Sequence, residues 1–248
     1  SLGQSYITAG KLDKANEQFK EVVRISPANS SGYYGLGQVA RAEGNLNEAV
    51  NQLTKAIRKD KNFELAYIEL GYAYADQGKI DKANEQLSVL ENESSDYAAK
   101  LENYIFQSTQ PRIIATLSKN GFNTSLGPKT SVSYLSSRLA DANKSKLFSI
   151  NISFSKEMDT ASIINPYNWK ISRATIEDNG GVYNYGITPS AREAFILPSP
   201  AYVSYNTETN TATVHFRVSQ NASADATIDP RHIVFKFSGI DIYGKTMD

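Results

Sequence analysis

The chain has 248 residues, enough for one or two domains, and it lacks a run of about 18 apolar residues that would predict a membrane span. It contains no cysteine, which excludes disulfides, thiolate metal sites and cysteine nucleophiles. Its 26 basic and 26 acidic side chains balance, whereas nucleic-acid-binding proteins usually carry a basic excess, so no nucleic-acid partner is expected.

The composition changes near the middle of the chain. Residues 1–108 are rich in Ala, Leu, Glu, Lys and Gln, which favour helices. Residues 109–248 are rich in Ser, Thr, Tyr, Ile, Val and Asn and hold seven of the eight prolines, which is typical of strands and turns. We therefore predict a helical domain over 1–108 and a β domain over 109–248.

The first half repeats with a period of 34 residues and no insertions. In each unit a glycine predicts the end of a first helix, where a left-handed residue is needed. The alanine that follows predicts the point where two helices cross closely. The matched columns are Leu2, Leu36 and Leu70; Gly3, Gly37 and Gly71; Gly10, Gly44 and Gly78; and Ala15, Ala49 and Ala83.

These columns resemble the tetratricopeptide repeat, whose period is 34 residues and whose pattern is W-x2-L-G-x2-Y…A-x3-F…P. In the second unit, Tyr33-x2-Leu36-Gly37 and Ala49-x3-Leu53 follow that pattern, with tyrosine for tryptophan and leucine for phenylalanine. The resemblance implies three helical hairpins stacked into a solenoid over 1–108. The first unit lacks its opening turn, so the array is expected to continue upstream.

A capping helix is predicted after the third repeat, because the 34-residue phase fades after Glu93 and solenoids cover their last interior face. It is expected to run from Ser95 to Ser108. Its apolar side is formed by Ala98, Leu101, Tyr104 and Ile105.

The resemblance also implies a concave groove lined by the first helices of the repeats. Its mixed aromatic, amide and charged side chains suit an extended peptide or a loop of a protein partner. The family's clamp for a C-terminal carboxylate needs paired lysines and asparagines, which the matching columns lack here. Alternatively, the groove tyrosines pack only against neighbouring helices. The predicted protein-binding residues are Tyr34, Gln38, Arg41, Ile68, Glu69, Tyr72 and Asp76.

Alternating apolar residues predict half-buried strands in the second half. Every second residue is apolar from Phe148 to Phe154, from Val214 to Val218 and from Ile233 to Phe237. Turns rich in Asn, Gly and Pro separate such segments, which is typical of an antiparallel sandwich. The long polar stretch near 119–146 is predicted to be a strand plus an inserted loop.

Three short motifs in this half resemble bacterial immunoglobulin-like domains of surface-layer and exported proteins. They are Phe154-Ser155-Lys156-Glu157-Met158-Asp159, Asn168-Trp169 and Gly239-Ile240-Asp241. The resemblance covers about residues 111–248 and implies an immunoglobulin-like β-sandwich. Such domains usually add a closing strand after Gly244, so part of that edge is expected to lie beyond Asp248. It also implies a bacterial protein in the periplasm, on the cell surface or secreted. The cytoplasm is the alternative location, because the composition does not choose between the two.

No motif for nucleotide binding, serine hydrolysis or zinc proteolysis occurs, so we expect no enzymatic activity, no catalytic residue and no cofactor. His215 and His232 fall on predicted strands. Two exposed histidines are favoured over a metal site because no third ligand is evident. Five aspartates are candidate calcium ligands, but their spacing follows no calcium-loop pattern, so capping of turns is favoured. They are Asp159, Asp178, Asp225, Asp229 and Asp241.

The sequence therefore predicts a non-enzymatic interaction or scaffold protein that forms or assembles a bacterial envelope or surface structure. A protein or peptide partner is expected in the helical groove. Two alternatives remain. In one, the loops of the sandwich bind a glycan or calcium and the repeats tether that module. In the other, both domains are purely structural building blocks. The sequence leaves the oligomeric state and the identity of the partner open.

Overall fold

The computed structural model describes residues 1–93, 96–119, 121–178 and 180–247. The chain divides into two compact units, Ser1–Thr109 and Gln110–Asp248. The first unit is helical and the second is built mainly from strands. Each has its own buried hydrophobic residues, so each has a core of its own.

The helical unit contains seven α-helices within the described residues. They are α1 Leu2–Thr8, α2 Leu12–Ile25, α3 Ser30–Ala42, α4 Leu46–Lys59, α5 Glu64–Asp76, α6 Ile80–Asn92 and α7 Asp96–Ser108. The first six pair as three hairpins, and α7 packs against both helices of the last hairpin. None of the described helices has the length and apolarity needed to span a membrane.

The residues of the repeat columns have the structural roles that their residue types predict. Gly10, Gly44 and Gly78 have φ angles of +69°, +76° and +71°, and each lies just after the first helix of its hairpin. This left-handed conformation costs glycine least, so glycine can end the helix there. The alanine column, Ala15, Ala49 and Ala83, is fully buried, which confirms its predicted place at the helix crossings.

Close approach explains the second glycine column. A methyl group on Gly37 would lie 2.5 Å from Leu53 of α4, so only glycine lets the two helices of this hairpin meet. At Gly71 the neighbour is instead Leu101 of α7, also at 2.5 Å. Leu101 of the capping helix therefore occupies, at Gly71, the place that Leu53 of α4 occupies at Gly37. The capping helix begins at Asp96, and Ser95, where the sequence placed its start, lies outside the described residues.

The second unit contains nine β-strands and one short α-helix within its described part. They are β1 Ile113–Lys119, β2 Thr130–Ser131, β3 Ser145–Phe154, α8 Thr160–Ile164, β4 Trp169–Arg173, β5 Phe195–Ile196, β6 Tyr202–Asn206, β7 Thr211–Ser219, β8 Thr227–Ile228 and β9 Ile233–Phe237.

The named strands pair only antiparallel and form three open sheets. The largest has the order β1-β3-β7, and both β5 and β6 pair with β7. The others are the ribbons β2–β8 and β4–β9. In the central pair, Phe148 lies opposite Phe216 and Ile150 opposite Val214. This register puts the apolar residues of β3 and β7 on one face of the sheet.

The core of this unit confirms the predicted strand phase. Phe148, Ile150, Ile152 and Phe154 are all at most 2% exposed. The ring of Phe154 lies 5.7 Å from that of Phe237, measured between centroids, and Phe216 lies 5.0 Å from Phe235. The ribbon β4–β9 therefore packs against the apolar face of the large sheet.

The segment near 119–146 differs from the predicted polar insertion, because it supplies part of the core. Phe122, Val132 and Leu139 are fully buried, and Leu135 is nearly so. Two 3₁₀ turns, Val132–Tyr134 and Ser137–Ala140, set the spacing of these side chains. Val132, Leu135 and Leu139 have the i, i+3, i+7 spacing of an amphipathic helix, but the run is short and spans two separate 3₁₀ turns among polar residues, so the sequence pattern did not reveal their burial.

Candidate functional site

The first helices of the repeats form one continuous surface. Helix α3 packs against α1 on one side and α5 on the other, and α5 packs against α7. We call this surface, formed by α1, α3, α5 and α7, the first-helix face. In stacked helical repeats such a surface is the concave one.

Arg41 lies at the centre of the first-helix face. Its Nη1 donates to Glu69 Oε1 at 3.1 Å, and its Nε donates to Asp76 Oδ2 at 2.7 Å. A third bond runs from Nη2 to the hydroxyl of Tyr104, at 2.8 Å. One guanidinium on α3 thus joins two carboxylates on α5 and a tyrosine on α7. We call Arg41, Glu69, Asp76, Tyr72 and Tyr104 the Arg41 cluster.

Two aromatic rings complete the Arg41 cluster. The guanidinium carbon lies 5.0 Å from the ring centroid of Tyr72 and 5.3 Å from that of Tyr104, within the range of cation–π attraction. The two rings are 4.5 Å apart, and the Tyr104 hydroxyl donates to Asp76 Oδ1 at 2.5 Å. Burial alone would lower the pKa of Arg41, but Glu69 and Asp76 outweigh it and raise that pKa. The cation is therefore held firmly charged.

A second group on the same face surrounds Tyr34. Gln38 Nε2 donates to the Tyr34 hydroxyl at 2.8 Å, and the Tyr34 ring lies 5.1 Å from that of Phe63. Burial, together with the charge of Glu69, raises the pKa of Tyr34 to about 12, so the phenol stays protonated. The amide oxygen of Gln38 is buried and has no hydrogen-bond partner among the described residues.

The structure gathers four of the predicted protein-binding residues, Arg41, Glu69, Tyr72 and Asp76, into the Arg41 cluster. Tyr34 and Gln38 form the neighbouring pair. Ile68 differs from the expectation, because it is only 5% exposed and packs into the hydrophobic core of the third hairpin. Its side chain offers little surface to a partner.

Sequence reasoning missed two contributors to this face, Tyr104 and Phe63. Helix α3 starts at Ser30 and α5 at Glu64, in step with the 34-residue period, but α7 starts only 32 residues after α5. Extending the period therefore misplaces Tyr104, whereas a shift of two residues aligns it with Tyr72. A search for the repeat with such a shift would have found it.

The Arg41 cluster holds side chains of three helices in fixed places, because its one guanidinium and two carboxylates are paired with each other. No group of three or more His, Cys, Asp or Glu residues in the described parts of the chain could hold a metal ion.

The histidines of the second unit are not the two exposed strand residues that the sequence predicted. His232 lies in a 3₁₀ turn, Pro230–His232, and its side chain is 10% exposed. Its Nδ1 is 2.7 Å from Asp229 Oδ2, an ion pair when the ring is protonated. His215 does lie on β7, where it stacks on Tyr202 at 4.1 Å, and burial lowers its pKa.

Three of the five aspartates considered as calcium ligands, Asp159, Asp178 and Asp241, accept from a nearby backbone N–H, in the turn-capping role that the sequence favoured. Asp225 accepts from a nearby side-chain amide, and Asp229 accepts from a backbone N–H 45 residues away. The donors are Ser162 N to Asp159, Thr175 N to Asp178, Asn221 Nδ2 to Asp225, Asn184 N to Asp229 and Tyr243 N to Asp241.

A cavity of about 280 Å³ opens in the second unit beside β4 and β5. Its walls are mainly aliphatic, and Arg173 and Tyr183 add a guanidinium and a phenol. The Arg173 guanidinium lies 5.3 Å from the ring centroid of Tyr183. The volume is near the lower limit of small-molecule sites.

Family models match two segments of the helical unit. Residues 37–78 match the model described as "TPR repeat", and residues 1–29 match the one described as "Tetratricopeptide repeat". The helical unit therefore contains tetratricopeptide repeats, as the sequence columns predicted. No curated protein sequence is significantly similar to the chain.

Solved structures show partial similarity. The chain is 23% identical to the TPR2B domain of yeast Sti1 in a pHsp70 complex, with a TM-score of 0.40, over 43% of this chain and 89% of that one. It is 28% identical to the TPR domain of P58(IPK), with a TM-score of 0.39, over 43% and 30%. The chain is 17% identical to the type III secretion translocator chaperone SycD of Yersinia enterocolitica, with a TM-score of 0.39, over 44% of this chain and 79% of that one. The chain thus spans less than a third of the P58(IPK) domain structure, and each match covers less than half of this chain.

Proposed function

We propose that this chain is a non-enzymatic protein-binding scaffold and that its first-helix face binds an extended segment of a partner protein. The observation that carries the proposal is the Arg41 cluster, in which three adjacent helices present fixed aromatic and charged side chains on one surface. Tyrosine and arginine are the residue types that most often dominate binding energy at interfaces.

Preorganisation supports the same conclusion. Binding costs less when side chains are already ordered, because less conformational entropy is lost. The Tyr72 ring is held between Arg41 and Tyr104, and Tyr34 is held by Gln38 and Phe63. Both tyrosines are nevertheless only partly buried, so part of each side chain remains accessible to a ligand.

The competing explanation is that these side chains only hold neighbouring helices together and bind no partner. The Arg41 cluster has that effect, since it links α3, α5 and α7. Substitution of Arg41 therefore cannot separate binding from stability, and the tyrosines are better probes.

The test begins with a partner captured from native extract with this chain as bait and then purified. We expect Tyr34→Ala and Tyr72→Ala each to weaken its binding by more than about 1 kcal/mol in calorimetry. Lys20→Ala, an exposed position on α2, is the matched control and should leave affinity unchanged. Chemical denaturation of each variant checks that it is folded. Full affinity in both folded tyrosine variants would place the partner elsewhere and end the proposal.

For the second unit we propose an immunoglobulin-like sandwich in an exported bacterial protein that contributes to an envelope or surface structure. The sequence motifs around Met158, Trp169 and Ile240 support this, as does the packing of β4–β9 on the large sheet. Fractionation of cells that produce the full-length protein tests the location. Recovery only in the cytoplasmic fraction would contradict it.

A second candidate function is ligand binding by the second unit, and the cavity beside β4 and β5 favours it. Thermal-shift measurements with a panel of oligosaccharides, with and without calcium, test it. A rise in melting temperature that Arg173→Ala abolishes would support this function, and no shift with any of them would count against it.

A further inference from the structure

The first-helix face belongs to helices with an excess of acidic side chains. Together α1, α3, α5 and α7 carry five carboxylates and two cations, although the whole chain is neutral. The carboxylates are Glu64, Glu69, Asp76, Asp96 and Glu102, and the cations are Arg41 and Lys100. Five carboxylates and two cations give these four helices together a net charge of −3.

Both cations on these described helices are already engaged. Arg41 is bonded to Glu69 and Asp76, and it lies over two tyrosine rings. Lys100 Nζ lies 5.1 Å from the ring centroid of Tyr97. An acidic peptide would have to compete with these internal partners for either cation. The face is therefore poorly suited to binding a carboxylate.

Glu69 is the carboxylate best placed to attract a cation. Arg41 donates from Nε, Nη1 and Nη2, whereas the one hydrogen bond of Glu69 among the described residues is through Oε1, which leaves Oε2 to accept from a ligand. The charge of Glu69 also acts on both Tyr34 and Tyr72. Burial and then the charge of Glu69 raise the pKa of each of these phenols. The Arg41 guanidinium that Glu69 accepts from lies 5.0 Å from the ring centroid of Tyr72. A carboxylate beside two tyrosine rings provides what a lysine or arginine side chain needs, a counter-charge and aromatic faces.

We propose that the first-helix face binds a basic, extended segment of its partner, with a lysine or arginine side chain against Tyr34 and Tyr72 and Glu69 as its counter-charge. This inference rests on the proposed function of that face. The proposed partner has the opposite charge to the acidic peptides that a carboxylate clamp would bind. Four packed helices, each about 8–10 Å from the next, span about 30 Å. That length needs roughly ten extended residues.

The experiment uses the full chain and three fluorescein-labelled peptides of about twelve residues. They share a background of alanine, serine and proline and differ only at every third position. That position is lysine or arginine in the basic peptide, glutamine in the neutral peptide and glutamate in the acidic peptide. Fluorescence anisotropy should show the basic peptide binding about tenfold or more tighter than the other two at low salt. Its affinity should fall as salt rises, since screening weakens exposed ion pairs.

Two variants and one control locate the binding. Glu69→Gln, nearly isosteric, should weaken the basic peptide at least fivefold, and Tyr34→Leu should do the same by removing an aromatic face. Glu17→Gln removes an equal charge from an exposed position on the second helix α2 and should change nothing. Denaturation curves confirm that each variant is folded, and Tyr34→Leu serves if Glu69→Gln fails to fold.

The outcomes separate this inference from the proposed function. Equal or tighter binding of the acidic or neutral peptide, lost in Tyr34→Leu, would overturn the basic partner and leave the binding face intact. Equal loss in Glu69→Gln and Glu17→Gln would show unspecific attraction to negative charge and would also overturn it. Binding of no peptide at all overturns it too, whereas the proposed function stands or falls with the captured partner and the tyrosine variants.

Discussion

Arg41 forms hydrogen bonds to two other helices, although the sequence predicted it only as a groove residue that contacts a partner. Its side chain is 23% exposed, and those of Glu69 and Asp76 are 12% and 25% exposed. Removing the guanidinium would leave two partly buried carboxylates without their cation, which is the costly way to break an ion pair. At this degree of exposure, solvent screening reduces the penalty.

We therefore expect Arg41→Met to lower the free energy of unfolding by about 1–3 kcal/mol, measured by urea denaturation of the full chain. Methionine keeps much of the aliphatic length, so the loss reports mainly the missing charge and hydrogen bonds. Arg24→Met is the control, because Arg24 pairs with Glu21 on an open surface, 72% and 50% exposed. It should have no measurable effect, and an equal effect in both variants would contradict the structural role of Arg41.

At the scale of single elements, the sequence predicted what periodicity controls. The glycine and alanine columns gave the three hairpins, because their sizes and backbone angles follow directly from close helix packing. Strand β3 was recognised because its alternation runs without interruption from Phe148 to Phe154. The same reasoning failed for Val132 and Leu139, which are buried from 3₁₀ turns that have no long repeat. It also missed Tyr104, because α7 departs from the 34-residue phase.

Strand β3 allows a sharp test of its two faces. Ile152 is 1% exposed in the core, whereas Asn151 points to the other face, where its side-chain oxygen accepts from Thr213. Ile152→Ala should cost roughly 2–5 kcal/mol of unfolding free energy, because it removes buried methyl groups and leaves a cavity. Asn151→Ala should cost about 1 kcal/mol, the value of one ordinary hydrogen bond. Denaturant midpoints of the two variants decide, and equal losses would contradict the orientation of the strand.

At the scale of the whole molecule, the two units are distinct in composition and in core. The helical unit ends at Thr109, after α7, and the strand-rich unit begins at Gln110 and enters β1 at Ile113. The change of composition at this junction and the polar composition of the stretch near 119–146 each predict a segment open to proteases. The structure separates the two expectations, because the second stretch supplies Phe122 and Leu139 to the core.

Limited proteolysis should therefore cut first at the junction between residues 108 and 112, and only later near 119–146. A brief digestion with a protease of broad specificity, followed by mass spectrometry, should give fragments that correspond to the two units. A cut inside 119–146 requires Phe122 and Leu139 to leave the core, which costs several kcal/mol of apolar burial. A cut between residues 108 and 112 displaces no residue of the hydrophobic cores of the two units. Ile152→Ala, which weakens the same core, should hasten cleavage near 119–146 without changing the rate at the junction. First cleavage within 119–146 in the unsubstituted protein would show that this segment is an insertion outside the core, as the sequence alone suggested.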